Sequence, residues 1–338
     1  MKKNIFLCLF IALNIFCISC TSHDSGVEEP EKTEEARTDS REYLIELMDK
    51  YLAALAAHDP SGIPFADNVK LVENTKVTQI GEGLWKTTTS APNTDFKIYI
   101  ADPAENRIGF MGIMEKEGTT ILLGARLKLE NGMITEIDHM HTPAVSAIAG
   151  NIFPEGLKKP RPRLVTKLTP SQKVPREEML KAALAYYPSL ELTDGSLAPY
   201  DDECQRNENG VTTANNPAGT VTDAAATSAG GMEMDAMSIF LRMKCAEQMD
   251  TGMWRYITDI NQIRPVAIDE EMGLVMVFSV FNHDGEPKHM PIENIPGYTD
   301  RENEWGQFTA PAIHIFKIQD GRIYEIEAMA IVDVPYRA

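Results

Sequence analysis

Cysteine is scarce in this chain, with 5 in 338 residues. Cys8, Cys17 and Cys20 crowd the N-terminus, which leaves only Cys204 and Cys245 for the folded part. That excludes a disulfide-dense scaffold. Positive charge is also short, because 32 Lys and Arg face 50 Asp and Glu for a net charge of −18. A surface of that sign repels nucleic acid and anionic membrane, since both need basic patches. It disfavours a strongly anionic substrate as well, unless a local basic pocket overrides the mean. No phosphate-cradling glycine loop, nucleophile elbow, Cys-x-x-Cys pair or zinc helix occurs. No cofactor and no metal site are therefore expected.

Only one long apolar run is present, Ile5 to Phe16, behind the basic pair Lys2-Lys3. It is too short to span a bilayer as a mature helix and reads as a signal peptide over residues 1–20. The run closes on Cys17-Ile18-Ser19-Cys20, which resembles a lipobox with Cys20 as the lipidated residue. Residues 21–40 are Glu, Ser, Thr and Asp with almost no aliphatics, so they read as a solvated tether. The expected address is the cell envelope, periplasmic or outer-surface, with the membrane reached only through the lipid anchor. In that oxidising setting Cys204 and Cys245 most simply pair, the alternatives being a zinc site or a nucleophile. Neither alternative has a second ligand or a base nearby in the sequence.

What the chain has in quantity is internal recurrence. Leu127-Lys128-Leu129-Glu130-Asn131-Gly132-Met133-Ile134-Thr135-Glu136-Ile137 returns as Phe316-Lys317-Ile318-Gln319-Asp320-Gly321-Arg322-Ile323-Tyr324-Glu325-Ile326. A whole strand–turn–strand phrase written twice means one fold unit used twice. Tyr51, Asp59, Asp67, Glu73 and Asn74 answer to Tyr186, Asp194, Asp202, Glu208 and Asn209. Tyr43, Leu44, Leu47, Met48, Tyr51, Leu52 and Leu55 repeat at helical spacing, and strands follow from the Trp85 region to His141. The reading is α+β: two tandem cone-shaped units, each an N-terminal helix packed on a curved antiparallel sheet. Their expected bounds are 41–155 and 176–338, joined by a Pro-rich linker at 156–175. The second copy carries two insertions. One is a stretch rich in Thr, Ala, Asn and Gly that leads into a Met-rich helix (Met232 to Met243), and the other lies near Glu286 to Gln307.

Helix, short acidic segment and strands ending in an Asp/Asn-Gly hairpin resemble the nuclear-transport-factor-2-like superfamily, which includes ketosteroid isomerase and the SnoaL-like polyketide cyclases. More narrowly, Asp202-Glu203-Cys204-Gln205-Arg206-Asn207-Glu208-Asn209-Gly210 and Cys245-Ala246-Glu247-Gln248, with Gly83-Leu84-Trp85 in the first copy, resemble a duplicated secreted family without a firmly assigned activity. The resemblance implies a pocket inside each cone. Fold alone does not choose among isomerases, dehydratases, hydrolases and plain binders.

Pocket candidates follow from strand alternation. His314 shares a face with Ala312, Phe316 and Ile318, where a general base would sit, and the first copy has Ala125 there. Asp202 and Arg206 sit in the short segment before the strands, beside Glu208 and Asn209, and could orient a polar ligand, with Cys204 and Cys245 pinning the segment. Trp254 and Tyr256 are candidates for the cone mouth. His139 and His141 form an i, i+2 pair that the second copy replaces by Ala328 and Ala330. Two functions follow. One is a small-molecule binder for a polar, carbonyl or sugar-like ligand. The other is an isomerase, dehydratase or lyase with His314 as base and Asp202 and Arg206 as helpers. A protein partner or self-association stays open.

Overall fold

Ser40 opens the first helix by accepting the Tyr43 amide hydrogen at 3.1 Å, a standard N-cap. Helix α1 (Arg41–Ala57) buries Leu44, Leu47, Met48, Tyr51, Leu52 and Leu55 on one face and ends at His58 in the left-handed conformation. The computed structural model describes residues 40–92, 94–144, 155–219, 234–331 and 334–335. The signal peptide, Cys20, the tether up to residue 39 and Met232 lie outside the described residues. None of the described helices is long and apolar enough to cross a membrane.

The first sheet runs through β1 (Phe65–Glu73), β2 (Lys76–Thr78), β3 (Thr88–Ser90), β4 (Lys97–Asp102), β5 (Arg107–Lys116), β6 (Thr119–Glu130) and β7 (Met133–Pro143). Its order is β2-β1-β7-β6-β5-β3, with β4 also on β5. Neighbouring strands in the sheet pair antiparallel, except that β1 lies parallel to β7. The segment read from sequence as a short acidic stretch is thus a strand. Its burial pattern shows no clean alternation, because a strand rich in polar residues and flanked by the short edge strand β2 is held by its ladders rather than by an apolar face. The Trp85 region, expected as a strand, is instead a one-turn helix, α2 (Leu84–Thr87).

The second half begins with α3 (Arg176–Leu184) and α4 (Tyr186–Glu191), followed by β8 (Tyr200–Glu208) and β9 (Val211–Ala214). Helices α5 (Met234–Arg242) and α6 (Cys245–Met249) come next. The remaining strands are β10 (Asp259–Asp269), β11 (Leu274–His283), β12 (His289–Pro291), β13 (Asp300–Glu302), β14 (Phe308–Gln319), β15 (Arg322–Ala330) and the short β16 (Val334–Pro335) on β14. The order β10-β11-β14-β15-β8-β9 repeats the first sheet's β4-β5-β6-β7-β1-β2, including one parallel pair, β8 with β15. This is an α+β architecture of helices on curled antiparallel sheets, as the resemblance implies.

Each sheet has one face on its own helix, giving two separate cores. The opposite faces meet each other. Ile100, Met111, Leu122 and Met140 pack with Val266, Met276, Ile313 and Met329 in a third core. The contact is reciprocal. Arg176 of α3 clasps Asp102 at 2.9 and 2.6 Å, and Arg41 of α1 reaches Asp269 at 3.0 Å. Each buried carboxylate also takes a backbone N–H from the other half, Ile268 to Asp102 at 2.9 Å and Ala101 to Asp269 at 3.3 Å. Buried charges must be partnered in this way. Gly109 faces Met276, and Gly124 faces Ile313, so closely that a Cβ on either glycine would overlap its neighbour.

The Pro-rich segment also packs. Leu157 and Leu164 join the third core. Arg161 pairs with Glu325 and with Glu327, and Lys317 donates to the Thr166 carbonyl at 2.7 Å.

Candidate functional site

The inner face of the second sheet gathers most of the residues picked from sequence. Cys204 on β8 and Cys245 on α6 form the disulfide, with Cα atoms 5.9 Å apart. This bridge holds Gln248 over Arg206, whose side chain is fully buried. Arg206 Nε pairs with Glu208 at 2.7 Å and donates to Thr213 at 3.2 Å. Nη2 donates to Gln248 Oε1 at 2.7 Å, whereas Nη1 meets no acceptor with hydrogen-bonding geometry. The guanidinium lies 4.7 Å from the Trp254 ring centre, a cation–π contact. Burial pushes the Tyr186 phenol up to about 12, and Arg206 works against that rise. The Tyr256 phenol is also raised by burial, and it feels Arg301, Glu208 and Arg206 together.

His314 lies on the same inner face, ringed by Tyr186, Phe281 and Phe316 at 5.2, 5.6 and 5.8 Å. Its Nδ1 is 3.4 Å from the Tyr187 hydroxyl. Burial, with Arg206 nearby, pushes it down to about 3. Such an imidazole is neutral at physiological pH but far too weak to be a well-matched base there.

Asp202 does not join this group. It is exposed, pairs with Lys244 at 2.9 Å and lines an outer cleft of about 590 Å³ with Arg161, Arg163 and Gln205. The reason is local. The β8–β15 register jumps between the Tyr200–Ile323 and Gln205–Glu325 pairs, so strand alternation fails across the bulge. Asn209 spends its amide on the Ala330 backbone, as Asn74 does on His141. Both sit at positive φ, which gives this recurring Asn a structural place in each half. Tyr256 stacks on His283 at 5.2 Å and meets Trp305 edge-on at 4.2 Å.

The two insertions come together above this group. Ala236, Met237, Phe240 and Leu241 of α5 pack with Met290, Ile292 and Ile295 of the second insertion, and Trp254 and Tyr256 lie against them. The Met-rich helix is therefore packed rather than a free binding face.

His139 and His141 belong to a different constellation, in the first half. Tyr51 Oη is 2.8 Å from His139 Nε2, and His139 Nδ1 is 3.4 Å from Glu73 Oε2. His141 Nε2 lies 3.5 Å from the other Glu73 oxygen, and the Leu84 N–H donates to Oε2 at 2.9 Å. Burial raises the Glu73 carboxyl, but the bonds from His139, His141 and Leu84 prevail and hold it well below the usual range. Burial likewise raises the Tyr51 phenol. A carboxylate that fixes an imidazole, which meets a buried phenol, can pass a proton along the line. Tyr51 and Glu73 were not picked from sequence as site residues. The available signal was a swap: Ala125 faces His139 across β6–β7, and His314 faces Ala328 across β14–β15. Each half keeps one histidine in that pair of places, on opposite strands. Among the described residues no group of three or more His, Cys, Asp or Glu is arranged to hold a metal ion.

A family model described as "Domain of unknown function (DUF8021)" matches residues 37–141 and 172–330. The chain belongs to the DUF8021 family. That description carries no activity, in agreement with the resemblance read from the sequence. No curated protein matches the chain. Solved structures similar to this DUF8021 protein include AusH from Aspergillus nidulans, 13% identical over 47% of this chain and 86% of that one, with a TM-score of 0.27. A protein described as a SnoaL-like polyketide cyclase from Jannaschia sp. CCS1 is 8% identical over 49% of this chain and 90% of its own, with a TM-score of 0.25. A de novo designed protein with a curved β-sheet is 17% identical over 31% and 88%, with a TM-score of 0.24.

Proposed function

We propose that this DUF8021 protein is an exported, lipid-anchored binder of a small polar compound. It is built as two tandem cone-shaped units, 41–155 and 176–338, with the ligand held in the second. Cys20 is the anchor and the acidic tether carries the folded part away from the membrane. The observation that carries the binding reading is Arg206, a fully buried guanidinium among Tyr186, Trp254 and Tyr256 with one nitrogen lacking an acceptor. Leaving a buried donor unmade costs about 1–3 kcal/mol, more for a charged group, and a ligand oxygen would relieve that cost. The isomerase, dehydratase or lyase alternative with His314 as base is disfavoured, because that imidazole is a weak base and Asp202 lies outside the group.

Native mass spectrometry of the full chain tests the reading. Wild-type protein is expected to carry a small-molecule adduct after exposure to cell extract, and Arg206→Gln is expected to lose it while keeping its circular dichroism. Equal adduct in both proteins, or none in wild type, removes the proposal.

A further inference from the structure

We infer that the second half takes its ligand by an acceptor oxygen, a carbonyl or a carboxylate, held by the Arg206 guanidinium and the Trp254 indole. The inference rests on the binding reading above and adds the chemical class. It starts from which hydrogen-bonding groups are already used. Arg206 Nε and Nη2 are committed to Glu208, Thr213 and Gln248. Gln248 itself is fully engaged, since its amide nitrogen donates to the Thr213 and Phe240 carbonyls at 2.6 Å each. What remains are Arg206 Nη1 and Trp254 Nε1, both buried and neither in a hydrogen bond of good geometry, the Tyr186 hydroxyl being the further oxygen that the guanidinium meets. Their side chains are stacked 4.7 Å apart, centre to centre, so one ligand can address both.

Two open donors call for an acceptor. A ligand with an ammonium group would place a third donor and a second cation against Arg206, leaving the buried donors still unmet. Arg301 adds to the same bias, since its guanidinium lies 5.9 Å from the Tyr256 ring and acts on that phenol alongside Arg206. The long hydrophobic contact between α5 and the second insertion borders the site beside Trp254, so the rest of the ligand meets aromatic and aliphatic surface. The class is a compact polar compound that presents a carbonyl or carboxylate oxygen to the two donors and its carbon skeleton to the surface beside Trp254.

Three probes with one ring and different polar groups separate the possibilities: acetophenone, benzoate and benzylamine. Binding to the full chain is followed by calorimetry and by the indole N–H signals in ¹H–¹⁵N spectra. The chain has 3 tryptophans, and Trp254→Phe assigns the relevant signal. Acetophenone, benzoate or both are expected to bind at least tenfold more tightly than benzylamine and to move the Trp254 signal while leaving Trp85 in place. Which of the two binds tells a carbonyl from a carboxylate ligand. Benzylamine binding as tightly as both, or a response confined to Trp85 or Trp305, overturns the assignment. A retained adduct in native mass spectrometry with no response to any probe overturns the oxygen class and leaves the binding reading standing. No adduct and no response removes both.

Discussion

Asp138 illustrates how single residues in this molecule answer to more than one half. In the first sheet, Arg126 pairs with Glu136 at 2.9 Å and with Asp138, which is also met by Arg264 from the second half at 2.8 Å. Glu325 and Glu327 hold the matching places in the second sheet, but Ile315 stands where Arg126 would. Arg161 from the Pro-rich segment fills the role, 3.4 Å from Glu327. Burial dominates there and, with Glu325 adding to it, pushes Glu327 up to about 7 against the pull of Arg161. The folded protein therefore holds a proton that the unfolded chain gives up near pH 4.5, so the contribution of Glu327 to stability falls as pH rises from about 4.5 to about 7. His314 and His283, both held neutral by burial, act in the opposite direction below about 6.5. Thermal melts are expected to show wild type losing stability relative to Glu327→Gln across that interval. Parallel pH profiles of the two proteins contradict it. Arg206 and His314 were legible in the sequence because each breaks the repeat at an inward place. Tyr51 and Glu73 recur in both halves and so passed for scaffold, since their partner His139 is fixed by register across strands rather than by spacing.

Among the elements, the pair β8 and α6 carries the second-half group. One disulfide spans a sequence separation of 41 and sets α6 so that Gln248 can reach Arg206. Closing a loop of that length stabilises by about 4 kcal/mol on the chain-entropy model. Reduced protein, or Cys204→Ala with Cys245→Ala, is expected to unfold at clearly lower denaturant concentration in equilibrium titrations. An unmoved midpoint sinks the assigned role. The bridge and the helix–strand division were legible from composition and period. The strand character of β1 and β8 was not. Both lie next to a sheet edge, both are parallel to the last long strand of their half, and neither shows alternation that a sequence pattern could reveal.

At the scale of the whole molecule, the packing of sheet on sheet depends on unequal partners in matching places. Gly124 and Ile313 hold the same position in their respective sheets and touch each other, as do Gly109 and Met276. Gly124→Ile is expected to destabilise by overpacking and Ile313→Gly by loss of a buried side chain. The double exchange is expected to recover at least about 1 kcal/mol of the summed loss in a double-mutant cycle, as contacting residues do. Simple additivity in urea titrations shows that the two sites are not coupled.

Those unequal pairs also bear on how the two halves can change over time. In a symmetric assembly of identical chains every substitution arrives twice, so a residue on the axis always meets its own copy and cannot be small on one side and large on the other. Here each position is inherited singly. A histidine can leave one strand in one half and settle on the facing strand in the other, without the sister site being forced to follow.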